Sequence, residues 1–60
     1  MNKQAEHYEN IGDTLKGEEA ERAYRAAQNH LQTADKGYLA DLVRIQNKII
    51  TSLEQSMGKS

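Results

Sequence analysis

Hydrophobic positions crowd into residues 38–57 and thin out elsewhere. Wound at about 100° per residue, that stretch sorts into rows. Val43, Ile50 and Met57 fall in one row, with Leu39, Gln46 and Leu53 beside it. Leu42 and Ile49 form the next, and Tyr38 and Ile45 the outermost. Asp41, Arg44, Asn47, Lys48, Thr51, Glu54 and Gln55 take the far side. The apolar arc is roughly 160° wide, well beyond the ~100° stripe that serves a surface helix. The pattern predicts a helix over 38–57 that more than one neighbour must cover.

Upstream the pattern is thinner. Ala5, Tyr8, Ile11 and Leu15 recur at helical spacing within residues 1–16 and predict a short amphipathic helix. Gly12 lies inside it, at a cost of about 1 kcal/mol relative to alanine. The stripe does not continue in phase past Lys16-Gly17, and Glu18 and Glu19 suit the positive end of a helix that begins there. The next stripe is Ala20, Ala23, Tyr24, Ala27, Leu31 and Ala34, about 100° wide and mostly alanine. Glu18 with Arg22 and Glu21 with Arg25 add i,i+4 pairs, so residues 17–34 make a good helix and a poor core. Lys36 followed by Gly37 is a helix stop, and a three-residue turn at 35–37 would fold 17–34 and 38–57 into an antiparallel hairpin. The competing arrangement is one unbroken helix over 17–57, because Tyr24, Leu31, Tyr38, Leu42, Ile45, Ile49 and Leu53 stay near one face. Residues 58–60 are expected to form a loose tail.

The two long segments are mismatched. A thin alanine strip cannot hide a broad leucine and isoleucine face. Either the Tyr8–Leu15 helix folds back over the remainder, or a second molecule brings the same face to it. Left in water, that face would exceed the apolar patch a monomer normally exposes. Gln46 sits in the middle of the arc. The favoured reading places it at the solvated edge; across a two-fold axis it would instead bond its own copy and fix register, as buried polar residues do in coiled coils.

Composition narrows the class. Sixty residues without cysteine are marginal alone and exclude disulfide staples, which leaves self-association as the available support. Proline is absent and 28% of residues are charged, as in helical proteins. The mean hydropathy of −0.91 is low, but the apolar residues are patterned, so a folded chain is expected. A net charge of −1 creates no field toward nucleic acid or an anionic membrane. The charge is uneven: residues 1–35 hold four cations against seven anions, and residues 36–60 four against two. That division suits antiparallel packing of the two halves. No run approaches the ~20 apolar residues of a membrane span, and no signal-peptide core follows Met1, so a cytoplasmic protein is expected.

Candidate chemistry is sparse. Met57-Gly58-Lys59-Ser60 ends like a phosphate-binding loop, but Leu53 stands where its first glycine belongs and no helix follows. Gly12 and Gly17 have the glycine spacing with Glu18 in place of lysine. His7 and His30 have no metal-ligand partners three or four residues away, and read as surface histidines. A serine nucleophile would have to come from Ser52, Ser56 or Ser60, in a fold with no evident cleft. Tyr8, Tyr24 and Tyr38 lie at core-facing positions. In a dimer, Arg22, Arg25, Arg44 and Lys48 would form a basic strip able to grip an RNA backbone. Helical-hairpin RNA modulators of plasmids, the Rop type, have this length and plan, without a motif matched here. A solvated face is the favoured reading of those cations.

Tyr8-x-x-Ile11-Gly12-x-x-Leu15, then Gly17-Glu18-Glu19-Ala20-x-x-x-Tyr24-x-x-Ala27, resembles a tetratricopeptide repeat over about 20 residues. The spacing from Leu15 to Ala20 is about one helical turn short, the closing proline is missing, and residues 35–60 do not repeat the pattern. Any pair of tightly packed helices selects the same residues, so the likeness is read as packing.

The sequence therefore predicts a single all-α domain: a short N-terminal helix and an antiparallel helical hairpin, assembling as a dimeric helical bundle. The expected interaction face is Leu39, Leu42, Val43, Ile45, Gln46, Ile49, Ile50 and Leu53. The expected role is non-catalytic: a small regulator, inhibitor or chaperone-like protein docking on itself or on a larger protein. The alternative is a dimeric RNA-binding modulator. No cofactor, metal, membrane or small-molecule substrate is expected.

Overall fold

The computed structural model describes residues 2–58, and those residues form three α-helices and no strand. They are α1 (Lys3–Asp13), α2 (Gly17–His30) and α3 (Tyr38–Met57). Asn2 starts α1, its Oδ1 accepting from the backbone N–H of Ala5 at 2.8 Å. The same side chain donates through Nδ2 to the carbonyl of His30 at 2.5 Å. One residue thus caps the start of α1 and the end of α2. Gly17 opens α2 at φ +63, with Glu18 and Glu19 in its first turn.

The end of α2 differs from expectation. The helix stops at His30 and not at residue 34, and seven residues (31–37) lead to α3 in place of a three-residue turn. Asn2 takes the His30 carbonyl, the His30 ring stacks on Tyr8 at 5.2 Å, and Leu31 turns to extended backbone. Ala34, assigned to the apolar stripe, is exposed in the connection. Gly37 does not stop α2 but starts α3: it is left-handed at φ +81, and its carbonyl accepts from the Asp41 N–H at 3.0 Å. The unbroken helix over 17–57 does not form. Of the tail expected over 58–60, Gly58 closes α3 through a bond to the Glu54 carbonyl, and Lys59 and Ser60 lie outside the described residues.

Both α1 and α3 pack along α2, and scarcely against each other. The Gly17 N–H at the start of α2 lies 3.4 Å from Gln55 Oε1 near the end of α3, and Gln28 near the end of α2 donates to Gln46 at 2.8 Å. The core is Ala20, Tyr24, Ala27, Ile45 and Ile49, with Tyr8, Leu15, Leu31 and Leu53 around it. Ile45 is the largest fully buried side chain among the described residues. Alanine buries little area but permits close approach, so each neighbour of α2 comes near its backbone. Gly12 of α1 lies against the ring of Tyr24 on α2. A Cβ there would lie 2.5 to 2.9 Å from three ring atoms of Tyr24.

The missing side chain at Gly12 is therefore the docking point of α1, and its helix-propensity cost is offset by a contact no other residue permits. Propensity alone predicts that Gly12→Ala gains about 1 kcal/mol. The overlap with Tyr24 predicts instead a net loss of about 1–3 kcal/mol. Urea unfolding followed by circular dichroism reads the sign directly, and a raised midpoint would contradict the packing described here.

Candidate interaction surface

The wide apolar arc of α3 is shared between two surroundings. Ile45, Ile49 and Ser52 are buried against α2, so Ile45 and Ile49 belong to the chain's own core and not to an outer face as expected. Leu42 and Leu53 are half-buried along the border. Leu39, Val43, Ile50 and Met57 are 72%, 58%, 46% and 77% exposed. This outer row lies roughly a third of a turn round α3 from Ile45, Ile49 and Ser52. Gln46 lies within it, exposed, its Oε1 accepting from Gln28 Nε2 at 2.8 Å. α1 folds back onto α2 and leaves the row open.

A second feature was not expected. Glu9, one turn before Gly12 on α1, is 6% exposed and carries a charge. Arg44 grips its carboxylate with both prongs, Nε at 2.8 Å and Nη2 at 3.0 Å. Lys48 adds Nζ at 2.9 Å and reaches Asp13 at 3.0 Å. Arg44 also donates to Asp41 at 2.9 Å. The Tyr24 hydroxyl donates to Asp13 at 2.5 Å, with the Lys48 ammonium 5.6 Å from the centre of its ring. Two carboxylates four residues apart on α1 thus face two cations four residues apart on α3, across the ring of Tyr24.

Pairing and burial shift Glu9, Tyr24, Arg44 and Lys48. The bond from Arg44, joined by Lys48, keeps Glu9 below the ordinary carboxylate value despite its burial. Burial and the bond to Asp13 push the Tyr24 hydroxyl far up. The bond to Glu9 raises Arg44 further. Burial pulls Lys48 down, but Glu9 and Asp13 together leave it raised. These charges brace α1 against α3.

This arrangement changes the basic strip. Arg44 and Lys48, expected on the solvent side of α3, are turned to α1. Arg25 pairs with Glu21. Arg22 is exposed and makes no ion pair among the described residues.

Other candidates are weaker. An open recess of about 640 Å³ lies between the start of α2 and the end of α3, bordered by Glu18, Glu19 and Gln55. His7 and His30 flank Tyr8 as an aromatic trio, edge-on and stacked. Among the described residues no group of three or more histidine, cysteine or acidic side chains is placed to hold a metal, and no helix is long and apolar enough to cross a membrane. Comparison of the chain with protein-family models, curated proteins and solved structures finds no match.

Glu9 gives the fold a pH dependence of known sign. Its folded pKa lies below the ordinary value of 4.5, so its stabilisation is fully present above that value and fades as pH falls through the lowered one. Glu9→Gln keeps the shape and removes the charge, at an expected cost of about 1–2 kcal/mol at neutral pH. Urea unfolding of both proteins at neutral and acid pH should show the gap closing on acidification. A constant gap would show that the charge of Glu9 carries none of the stability.

Proposed function

We propose that this chain is a non-catalytic interaction module that docks through the outer row of α3. One observation carries the reading: four large apolar side chains on one helix face stand half to three-quarters exposed after the chain's own helices have packed. A patch of that size on so small a protein is an interaction site more often than an idle surface. The fold supplies a frame for it. α2 and α3 form an antiparallel hairpin, α1 braces them, and the hairpin assembles as a dimeric bundle or seats a larger protein in the same place. The working compartment is the cytoplasm. Such a module would serve as a small regulator, inhibitor or chaperone-like protein.

The RNA-binding reading draws less support. Three of its four cations are already engaged with carboxylates of the same chain, and releasing Arg44 and Lys48 would disturb the attachment of α1.

The readings separate by photo-crosslinking. A photoreactive amino acid in place of Val43 should yield one discrete protein adduct that survives about 1 M salt, where charge pairing is screened. The adduct should disappear when Ile50→Asp is added. The same group in place of Arg22 should yield none. An RNA adduct at Arg22, or no adduct at Val43, overturns the docking reading.

A further inference from the structure

The outer row has a period of its own. Leu39, Val43, Gln46, Ile50, Leu53 and Met57 follow one another by four, three, four, three and four residues, the heptad seam of a coiled coil along the whole of α3. A seam of that spacing fits another helix of similar length, not a loop or a pocket. Its composition narrows the partner further. Val43 and Ile50 are β-branched and share one heptad position; Leu39 and Leu53 share the other. Within parallel coiled coils, β-branched residues at the first position with leucine at the second favour two strands over three or four. The row carries no charge, and its open flank holds Ala40, Asn47 and Glu54; in a parallel pair Glu54 faces the uncharged flank of the other copy and not a second glutamate.

The area is sufficient. At about 150–200 Å² for a fully exposed side chain of this size, the four exposed residues offer on the order of 450 Å² per copy. Two copies would bury about 900 Å² from these alone, and Leu42, Gln46 and Leu53 carry the total past the ~1,000 Å² at which specific interfaces begin. α2 lies a third of a turn away and leaves the approach clear.

We infer that the occupant of this face is a second copy of the chain, its α3 parallel and in register with the first. Gln46 then meets Gln46. Its Oε1 already accepts from Gln28, leaving Nε2 to donate across the seam and fix the register. The inference rests on the docking reading above and names its partner.

Sedimentation equilibrium of the full chain should give twice the 6.8 kDa monomer mass, unchanged in about 1 M salt. Ile50→Asp changes an exposed position and should retain helix content while weakening association at least ~100-fold. Leu39→Cys, oxidised in dilute solution, should give a covalent dimer. In an antiparallel pair the two Leu39 positions would stand about 27 Å apart and no disulfide would form. A dimer without that cross-link overturns the parallel register, and a dimer indifferent to Ile50→Asp overturns the assigned face. A monomer at about 1 mM overturns self-association, well short of the range of specific complexes. In that case a Val43 adduct with a different protein leaves the docking reading standing, and the absence of any adduct removes both.

Discussion

The arrangement of the three helices depends on how one buried carboxylate is neutralised. Glu9 lies in the gap between α1 and α3, two helices that share a neighbour but scarcely pack on each other. A carboxylate there is tolerable only because Arg44 and Lys48 reach it from the opposite wall. The cost of desolvating the charge and the gain from pairing it arrive together, and only when α1 and α3 stand at one separation and one register. An apolar residue at position 9 would bind less selectively. The alanine strip of α2 lets both helices approach but does little to say where along it each should stop. The cluster of Glu9, Asp13, Arg44 and Lys48 supplies that information, and Tyr24 fills the space beneath it.

Much of this was legible in the sequence, and the omissions have physical causes. The period over 38–57 marked α3, because an apolar arc that wide leaves little choice of conformation. Gly17 with two following glutamates marked the start of α2. The end of α2 was misplaced because the residue that caps it is Asn2, 28 positions away, and local stop signals cannot register a distant cap. Gly37 was correctly seen as a break and wrongly assigned to the helix before it. Gly12 was counted as a defect of α1. Its value is the close approach to Tyr24, which a propensity scale has no way to record.

Glu9 was missed for a related reason. On a wheel it stands about 100° from Tyr8 as one more acidic residue, and acidic residues are assigned to water by default. A usable signal was present nonetheless. Glu9 and Asp13 are four apart, as are Arg44 and Lys48, and they lie in the acidic and basic halves of the chain. Two like pairs at the same helical spacing and of opposite sign can form a ladder between neighbouring helices. The imbalance of charge between the halves, weak as a bulk property, becomes specific once paired with that spacing.

The same cluster separates the two roles that α3 performs. Its inner side is fixed by Ile45 and Ile49 on α2, and its polar side by the cations bound to α1. With both sides committed, rotation of α3 about its axis would break the ion pairs of Glu9 and a packed core at once. The outer row therefore cannot lower its exposure by rolling inward. A helix attached on one side only could turn until its greasiest side met its neighbour, and a different part of its wide apolar arc would then face outward. Here the ionic attachment to α1 opposes that rotation, so the residues best able to bind another helix remain facing out. On this argument α1 contributes to docking without touching the partner: it holds the orientation in which α3 presents Leu39, Val43, Ile50 and Met57.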